Sequence, residues 1–382
     1  MADVAIIGAG VIGLACAVQL RRAGVDSVVL IERNDAAGMG STARANGGVR
    51  AQFSTRINIE FSQYTIEQLD RLNAEHDGIV GLRRVGYLFM SGSEHGEQQM
   101  RGGYELQRSL GVPVHWLSAD GVGAIAPYVR SDGLRCGTFC PTDGIVDPHG
   151  VVSALLAECR RLGTVDFRFG MRVTGIDVTD NGITLETTRQ RIEADYAVNA
   201  AGPGASSVAA MAGVALPVTP FRRNLACTEP VSGFPEAIPM CVDVDTGVLI
   251  RREAGGFLIA YSEPHDDPTD DTSFDPTFLD AIAERIPNRF PFLTEAAINE
   301  RKCWAGLYPE TPDHQAIIDA PEQALRFIQC AGFGGHGIMH SLAAGQAVAE
   351  LITSGRSQSF DMYALGLCRL TERDSTSETA VL

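Results

Sequence analysis

The first residues of the chain alternate between short apolar runs and a longer mixed segment, and this spacing predicts a strand, a helix and a second strand. Residues 4–7 form an apolar run, and residues 14–23 have the length and composition of a helix that ends at Gly24. Residues 27–31 form a second apolar run. Because a glycine-rich turn joins the first run to the helix, the segment is predicted to be one unit of a parallel α/β sheet.

Similar elements return further along the chain. The apolar spacing predicts a helix at residues 57–76, an amphipathic helix at 149–162 and a buried strand at 196–202. Near the end, an apolar strand at residues 327–330 runs through a glycine-rich loop into a helix of small residues at 339–354. This last stretch repeats the order of strand, glycine turn and helix found at the start.

Between these parts, shorter strands and polar helices predict a second kind of region. Residues 85–90 form one such strand, and residues 248–252 and 256–261 predict a hairpin. The predicted fold class is α/β, a Rossmann-like domain with a twice-inserted α+β domain built mainly on an antiparallel sheet. The predicted boundaries are 1–80, 145–215 and 325–365 for the first domain, 81–144 and 216–324 for the second, and 366–382 for a tail that is polar and frayed from about Leu370.

The first glycine turn has the pattern of a dinucleotide-binding site and consists of Gly8, Ala9, Gly10, Val11, Ile12 and Gly13. Gly8 permits the tight turn, Gly10 leaves room for a pyrophosphate beside the backbone, and Gly13 lets the helix pack on the strand. Glu32, followed by Arg33, closes the second strand where an acid accepts hydrogen bonds from an adenosine ribose. An ordinary α/β turn is the alternative interpretation.

The second glycine loop, at residues 332–337, predicts that the ligand is longer than a phosphate-bearing ADP unit. Four of its six residues are glycine, and the helix that follows directs its positive end toward whatever binds there. A flavin ring becomes negative on reduction, and a helix N-terminus stabilises that charge. One ligand that contacts both loops needs phosphates at one end and a ring at the other, which FAD satisfies better than NAD.

The charge and cysteine content exclude several other classes. A net charge of −16 argues against nucleic acid or an anionic membrane as a partner, and no apolar stretch is long enough to span a bilayer. The N-terminus shows no signal peptide, and nine scattered cysteines predict reduced thiols in the cytoplasm. No metal site is predicted, because Cys136 and Cys140 lack further ligands nearby and the acidic residues 263–275 read as a solvated loop.

These motifs together resemble the D-amino-acid-oxidase-type FAD-dependent oxidoreductases. Within that family the chain is most similar to the branch of sarcosine oxidases, glycine oxidases and dye-linked proline dehydrogenase subunits. The resemblance covers residues 1–365 and rests on the turn from Gly8 to Gly13 with Glu32, and on residues 40–50, 199–203, 304–313 and 332–338.

The resemblance implies an extended FAD with its ring at the domain boundary, where the inserted domain covers the substrate. Val173 would offer its backbone to adenine. The residues implied along the rest of the cofactor are Ser41, Thr42, Ala43, Arg44, Asn46, Gly47, Gly48, Ala201, Gly202, Gly306, Gly332, Gly334, Gly335, His336, Gly337, Ile338 and Met339. Some relatives hold flavin covalently through a cysteine where Gly306 stands or a histidine where Arg44 stands, so non-covalent FAD is predicted here.

The predicted reaction is oxidation of the C–N bond of an amino acid or secondary amine. A neutral amine would donate hydride to flavin N5, and the resulting imine would hydrolyse. Arg50 is the first choice for a substrate carboxylate because a guanidinium offers a bidentate fork, although a salt bridge at the domain boundary is the alternative. Tyr261, Arg223 and Arg251 are further candidates. His340 faces either the substrate or the packed core, and His336 is predicted to order the flavin loop.

Two other functions remain open. The first is oxidation of a C–OH bond in a 2-hydroxy acid or related substrate, for which His340 would be the base. The second is a non-catalytic flavoprotein that acts as an assembly partner. The electron acceptor is either O2 or a quinone or protein, because relatives that react with O2 carry lysines at positions matching Leu258 and Met339. The oligomeric state is not predicted.

Overall fold

The computed structural model describes residues 1–261, 267–371 and 377–380. The strands in these ranges are β1 (Ala2–Ile7), β2 (Val28–Ile31), β3 (Gly48–Val49), β4 (Tyr87–Ser91), β5 (His115–Leu117), β6 (Cys136–Cys140), β7 (Gly144–Ile145), β8 (Val165–Arg168), β9 (Val173–Thr179), β10 (Gly182–Thr187), β11 (Arg191–Asn199), β12 (Thr219–Cys227), β13 (Met240–Asp243), β14 (Val248–Glu253), β15 (Gly256–Ala260), β16 (Trp304–Glu310), β17 (Ile317–Asp319) and β18 (Phe327–Ala331).

Local sequence signals set several helix ends. Ser93 accepts a hydrogen bond from the amide of Gly96 at the start of the third helix, and Asp147 precedes Pro148 at the start of the fifth. Gly355 ends the last helix in the left-handed conformation, with φ of 71°. The helices are α1 (Val11–Arg22), α2 (Arg56–Glu75), α3 (Glu94–Ser109), α4 (Ala119–Ile125), α5 (Pro148–Leu162), α6 (Ala205–Ala210), α7 (Thr277–Arg289) and α8 (Gly337–Ser354).

The first sheet has the parallel centre that the apolar runs predict. Its main order is β17-β18-β11-β1-β2-β8, and β9 and β10 form a hairpin joined to β11. The pairs β1–β11, β1–β2, β2–β8 and β11–β18 are parallel. Helices α1 and α8 pack closely on each other. They can do so because Gly345 has no side chain: a methyl group added there would lie 2.6 Å from the carbonyl oxygen of Ala15. This packing buries one face of the sheet in an apolar core with α1 and α8. The other face packs against the β9–β10 hairpin and α6 in a second apolar core.

The second sheet is mainly antiparallel and has the order β16-β12-β15-β14-β13-β4-β6-β5. The pair β13–β4 is its one parallel contact among the described strands, and it joins two distant parts of the chain. One face packs on α7 in its own apolar core. The other face carries Tyr87, Phe89, Val242 and Leu249 and meets the segment that contains Gly48 and Arg50. The predicted fold class is confirmed.

Two segments differ from the sequence prediction. Strand β17 pairs antiparallel with β18 in the first sheet, although residues 317–319 lie in the range assigned to the inserted domain. The tail was expected to fray from about Leu370. Instead residues 367–371 form a short 3-10 helix, and Glu378 is buried against the start of α2. The domain boundaries themselves stay a prediction.

The acidic stretch at residues 263–275 lies partly outside the described residues. In its described part, Asp271 and Asp275 pair with Arg222 at 3.0 and 2.7 Å. Among the described residues, no helix is both long and apolar enough to cross a membrane.

Candidate functional site

The first glycine turn follows β1 and is shaped by two close backbone contacts. Gly8 has φ of +107°, and a methyl group added there would lie 2.4 Å from the carbonyl oxygen of Ala200. A methyl group on Gly13 would lie 1.9 Å from the carbonyl oxygen of Gly8. On Gly10 it would meet only the Thr42 hydroxyl, at 3.4 Å, among the described atoms within 4 Å. Gly8 and Gly13 therefore serve the protein's own packing, whereas Gly10 leaves space beside the turn.

The carboxylate of Glu32 is held next to this turn. It accepts hydrogen bonds from the amide of Ala9 at 2.8 Å and from the amide and side chain of Asn34 at 2.9 and 2.7 Å. The carbonyl of Glu32 accepts a bond from the amide of Met171, two residues before Val173. The structure thus brings the segment before Val173 beside the end of β2. The remaining predicted residues at this end are Val11 and Ile12 in the first turn of α1 and the exposed Arg33.

The short helix Ser41–Arg44, which includes Ala43, connects the first turn to the second sheet. The amide of Val11 donates to the Thr42 hydroxyl at 3.1 Å. The Ser41 hydroxyl donates to the carbonyl of Leu307 on β16 at 2.7 Å. Two adjacent residues at the start of this helix therefore fix it to α1 and to the edge strand of the second sheet.

Arg44 and Gly306 are direct neighbours. The guanidinium of Arg44 donates to the carbonyl of Ala305 at 2.8 Å, and the Trp304 indole donates to the carbonyl of Arg44 at 2.9 Å. A methyl group on Gly306 would lie 3.0 Å from the Arg44 Cβ atom. These two positions, where some relatives attach flavin covalently, are thus occupied by a glycine and by an arginine engaged with the strand backbone.

The next loop receives side chains from the second sheet. The Asn46 side chain accepts a bond from the amide of Gly48 at 2.9 Å. The Tyr87 hydroxyl fills the space where Gly48 would carry a side chain, and a methyl carbon added to Gly48 would lie 1.8 Å from that hydroxyl. A methyl carbon added to Gly47 would lie 3.1 Å from the guanidinium of Arg251. Glycine at both positions lets the two sheets approach each other here.

The second glycine loop follows β18. Gly332 and Gly334 have φ of +78° and +50°, and a methyl group on Gly335 would lie 2.6 Å from the ring of Tyr308. Burial raises the pKa of the Tyr308 hydroxyl, so it stays protonated. The predicted residues that follow lead into α8 and are His336, Gly337, Ile338 and Met339.

The two loops meet because of the strand order. Strands β1 and β18 both run parallel to β11, so the turns that follow them lie at the same edge of the sheet. Ala201 and Gly202 follow β11 at that edge. The Asn199 side chain fixes their approach by donating to the carbonyl of Ala205 at 2.9 Å and to Gln329 at 2.8 Å. The first turn, the Glu32 carboxylate and the second loop thus lie along one edge of the sheet, where the sequence predicts an extended dinucleotide, and the space beside Gly10 suits its phosphates.

A family model described as FAD dependent oxidoreductase, or DAO, matches residues 3–351. The chain belongs to this family. It is therefore an oxidoreductase, and its cofactor is FAD. The resemblance inferred from the sequence motifs is confirmed.

Similarity to individual proteins extends over almost the whole chain. FAD-dependent oxidoreductase domain-containing protein 1 of Xenopus laevis is 28% identical over 429 residues, which cover 100% of this chain and 85% of that protein. Mitochondrial sarcosine dehydrogenase of Mus musculus is 28% identical over 387 residues, which cover 96% of this chain but 41% of the dehydrogenase. The crystal structure of L-proline dehydrogenase from P. horikoshii superposes with a TM-score of 0.89 at 26% identity, over 97% and 98% of the two chains.

Next to the second glycine loop of this DAO-family oxidoreductase lies Arg50, the largest fully buried side chain among the described residues, with 1% exposure. Its guanidinium carbon lies 3.9 Å from the ring centre of Phe53, and its Nη2 atom lies 3.4 Å from Nε2 of His336. It donates to the backbone carbonyls of Gln52 and Ala380. Burial lowers the pKa of Arg50, but nearby anionic and phenolic groups oppose that shift.

His336 and His340 share this pocket. Their ring centres lie 5.6 Å apart. The ring centre of Phe53 lies 4.8 Å from that of His336 and 5.1 Å from that of His340. Burial holds the pKa of both imidazoles well below the usual range, and the charge of Arg50 adds to the effect. Both rings are therefore neutral at pH 7. In the described part of the chain, Nε2 of His340 is buried without a hydrogen-bond partner.

Asp143 completes the pocket, and the sequence did not indicate it because Asp-Gly at 143–144 reads as an ordinary turn. Its buried carboxylate accepts from the amide of Ala51 at 2.8 Å and from the side chain of Gln52 at 3.0 Å. Burial raises its pKa from 3.8 to about 6, although these hydrogen bonds and Arg50 oppose the shift. Asp143 thereby positions the Ala51 backbone and the Gln52 side chain, which directly follow Arg50.

The raised pKa of Asp143 predicts a pH dependence of stability. Between pH 4 and pH 6 the folded state binds a proton that the unfolded chain has released, so the contribution of this group to stability falls as pH rises through about 6. The free energy of unfolding of Asp143→Asn, taken relative to that of the wild type, should therefore rise by about 2 kcal/mol from pH 4.5 to pH 8. Denaturant unfolding of the holoprotein at both pH values measures this.

The exposed Asp132→Asn variant is the matched control, since it removes the same charge at the surface. A stability difference between Asp143→Asn and wild type that stays constant over this pH range would contradict the assignment.

The other candidate substrate contacts have different partners from Arg50. Arg223 pairs with Glu310 at 2.9 Å, and Arg251 pairs with Glu253. Both arginines thus already bind a carboxylate of the protein. Tyr261 lines a small cavity next to the second sheet and is not among the described contacts of Arg50. The other side chains and backbone groups around that cavity include Asn46, Arg223, Leu249 and Tyr308.

Among the described residues, one group of side chains is compact enough to share a metal ion, and it consists of Glu75, His76 and Glu158. Glu158 already accepts hydrogen bonds from Arg22 at 2.8 Å and from Arg161 at 2.6 Å. These two guanidinium groups neutralise the carboxylate and would repel a cation, so the cluster is an ion-pair network of the first domain.

Proposed function

We propose that this protein oxidises the C–N bond of a small amine that carries a carboxylate, such as an amino acid or an N-alkyl amino acid. The observation that carries the proposal is the environment of Arg50. It is a buried cation whose described hydrogen-bond acceptors are backbone carbonyls, whereas Arg223 and Arg251 hold protein carboxylates. A buried guanidinium without a direct carboxylate partner favours binding of an anionic ligand.

The named relatives support the same substrate class. Sarcosine dehydrogenase and L-proline dehydrogenase act, by their names, on amino acids whose amine is secondary. Both compounds have a carboxylate one carbon away from the amine. Arg50 would bind that carboxylate through its two-pronged donor face and so fix the α-carbon beside the second glycine loop.

The pocket residues also favour the neutral form of the amine. When bound, FAD would be the oxidant that accepts the hydride from the α-carbon of the amine. The charge of Arg50 disfavours a second cation nearby, and the aromatic ring of Phe53 excludes water from that side. An amine that enters this pocket therefore loses its proton more easily than in water. No strong base on the protein is needed for this step.

Oxidation of a C–OH bond is the alternative, and the state of His340 argues against it. A hydroxyl substrate needs a base, and Nε2 of His340 is the buried ring nitrogen available in the described pocket. Burial and the charge of Arg50 make this imidazole a weak base. The geometry thus supports amine oxidation better than alcohol oxidation.

Anaerobic bleaching of the flavin by a panel of compounds tests the proposal. Amino acids and N-methyl amino acids should reduce the flavin, whereas the corresponding 2-hydroxy acids should not. The decarboxylated amines should reduce it much more slowly than the amino acids. Bleaching by hydroxy acids alone would overturn the proposal in favour of C–OH oxidation. Failure of every compound, with a partner protein that co-purifies, would favour an assembly role. Reoxidation by O2 or by a quinone then distinguishes an oxidase from a dehydrogenase.

The contact between Gly306 and Arg44 leads us to expect dissociable FAD. Neither side chain offers a thiolate or imidazole for a bond to the flavin, and Arg44 is engaged with the backbone of β16. Precipitation with trichloroacetic acid should therefore release the yellow colour into the supernatant. Colour that remains in the protein pellet would contradict this expectation, and a flavoprotein with covalent flavin serves as the control.

We also propose a reducing compartment such as the cytoplasm. The support is that eight buried or half-buried cysteines carry free thiols, namely Cys16, Cys136, Cys140, Cys159, Cys227, Cys241, Cys303 and Cys330. Cell fractionation with an antibody against the protein tests this placement.

A further inference from the structure

A short segment far from the pocket in sequence, residues 377–380, reaches the pocket in space. We call it the strap. Glu378 is its anchor and is 2% exposed. Its carboxylate accepts six hydrogen bonds, of which five come from residues next to the start of α2. The donors are the amide and hydroxyl of Ser54, the amide and hydroxyl of Thr55, the side chain of Asn58 and the amide of Ala380.

The anchor is strong because it occupies a helix N-terminus. Thr55 precedes the first residue of α2, and among the described contacts its hydroxyl does not cap the helix but donates to Glu378 at 2.8 Å. Free amide groups and the helix dipole both stabilise a carboxylate at this point. Burial alone would raise the pKa of Glu378, but hydrogen bonds from Ser54 and Asn58 outweigh it and lower that pKa.

The rest of the strap is held in register. The amide of Glu378 donates to the carbonyl of Asp313 at 3.1 Å, and the amide of Thr379 donates to the Ser54 hydroxyl at 2.9 Å. Asp313 is itself fixed by a buried ion pair with Arg369 at 2.7 Å. This geometry sets the position of the next residue, Ala380.

The carbonyl of Ala380 accepts a hydrogen bond from Nη2 of Arg50. That guanidinium nitrogen is one of the two terminal groups that a bidentate carboxylate needs. A ligand carboxylate and the strap therefore compete for the same donor. We propose that the strap is an internal competitor that occupies Arg50 until a carboxylate displaces it, an inference that depends on the carboxylate-binding role of Arg50 in the proposed function.

Two opposing effects set the balance. The strap is part of the same chain, so its carbonyl competes at an effective concentration on the order of millimolar. A carboxylate gains more from Arg50, because charge-assisted hydrogen bonds are roughly twice as strong as those to a neutral carbonyl. Simple amines lack the group that displaces the strap. The strap thus selects carboxylate-bearing ligands over other amines of similar size.

Benzoate, a plain carboxylate that cannot be oxidised by loss of an α-hydrogen, is the probe for this competition. Its dissociation constant from the holoprotein is measured by the change in the flavin absorption spectrum. Glu378→Ala removes all six acceptor contacts and should lower that constant about tenfold, the factor expected when the strap is open in about one molecule in ten. Asn58→Ala removes one contact and should lower it by a smaller factor. The exposed Glu300→Ala is the matched control and should leave it unchanged.

Hydrogen exchange in the wild-type protein gives a second readout that needs no variant. The amides of Thr379 and Ala380 are hydrogen-bonded in the strap, and saturating benzoate should speed their exchange. Unchanged or weaker benzoate binding in Glu378→Ala, or slower strap exchange with benzoate, would overturn the proposal. Because neither measurement uses an amine, the strap can be confirmed even if the panel shows no amine oxidation, and it can fail even if amines are oxidised.

Discussion

Replacement of Arg50 by methionine is expected to lower kcat/KM for a carboxylate-bearing amine by about 100-fold or more, since losing one partner of a buried charge pair costs about 2–5 kcal/mol. Methionine keeps much of the volume of the buried side chain but offers no donor to a carboxylate. An amine of the same size without a carboxylate should lose no more than a few-fold in kcat/KM. Steady-state kinetics with both kinds of substrate measure the difference.

Arg251→Met is the informative comparison, because Arg251 is also buried, lies beside Gly47 and pairs with Glu253. If carboxylate discrimination is lost in Arg251→Met and kept in Arg50→Met, the assignment of Arg50 is wrong. Equal losses on both kinds of substrate in Arg50→Met would also remove Arg50 from this role. They would indicate that the guanidinium stabilises the pocket as a whole.

The second large effect concerns FAD itself. Gly10→Ala should raise the dissociation constant of FAD by about 100-fold or more, because the added methyl group occupies the space where a pyrophosphate approaches the backbone. The protein tolerates that methyl group, since its nearest described neighbour is the Thr42 hydroxyl at 3.4 Å. Thermal unfolding without added FAD should therefore change little, by about 1 kcal/mol or less. Flavin fluorescence titration measures the affinity.

Gly13→Ala provides the contrast. Its methyl group would lie 1.9 Å from the carbonyl oxygen of Gly8, so the backbone must shift. We expect a loss of stability of about 3 kcal/mol with or without FAD. Wild-type FAD affinity in Gly10→Ala would show that the cofactor does not approach this turn. An unfolded Gly10→Ala protein would contradict the packing described here.

The glycine motifs were readable from the sequence because their constraints are local. Gly8 adopts a φ of +107° that other residues rarely reach, and the spacing to Gly13 and Glu32 follows from the lengths of one strand and one helix. The parallel order of β1, β11 and β18 then follows from buried apolar runs. The family and the cofactor could therefore be predicted before any contact was known.

The partners of the pocket residues were not readable in this way. Arg50 was singled out, but its electrostatic interaction with Asp143 and its hydrogen bond to Ala380 join residues far apart in the chain. The polar sequence after Leu370 predicts a frayed end, yet Glu378 is buried because Ser54, Thr55 and Asn58 together satisfy its carboxylate. Burial of a polar side chain depends on such partners, and a linear pattern does not contain them.

The sequence by itself determined the strand-turn-helix units, the two glycine loops and hence FAD, because backbone sterics and apolar periodicity act over a few residues. The tertiary structure decided which charged groups surround Arg50. It left Arg223 and Arg251 with protein carboxylates and gave Arg50 backbone carbonyls instead. The reason is physical: electrostatic and hydrogen-bond energies depend on distance and burial, which are set only when remote segments are packed together.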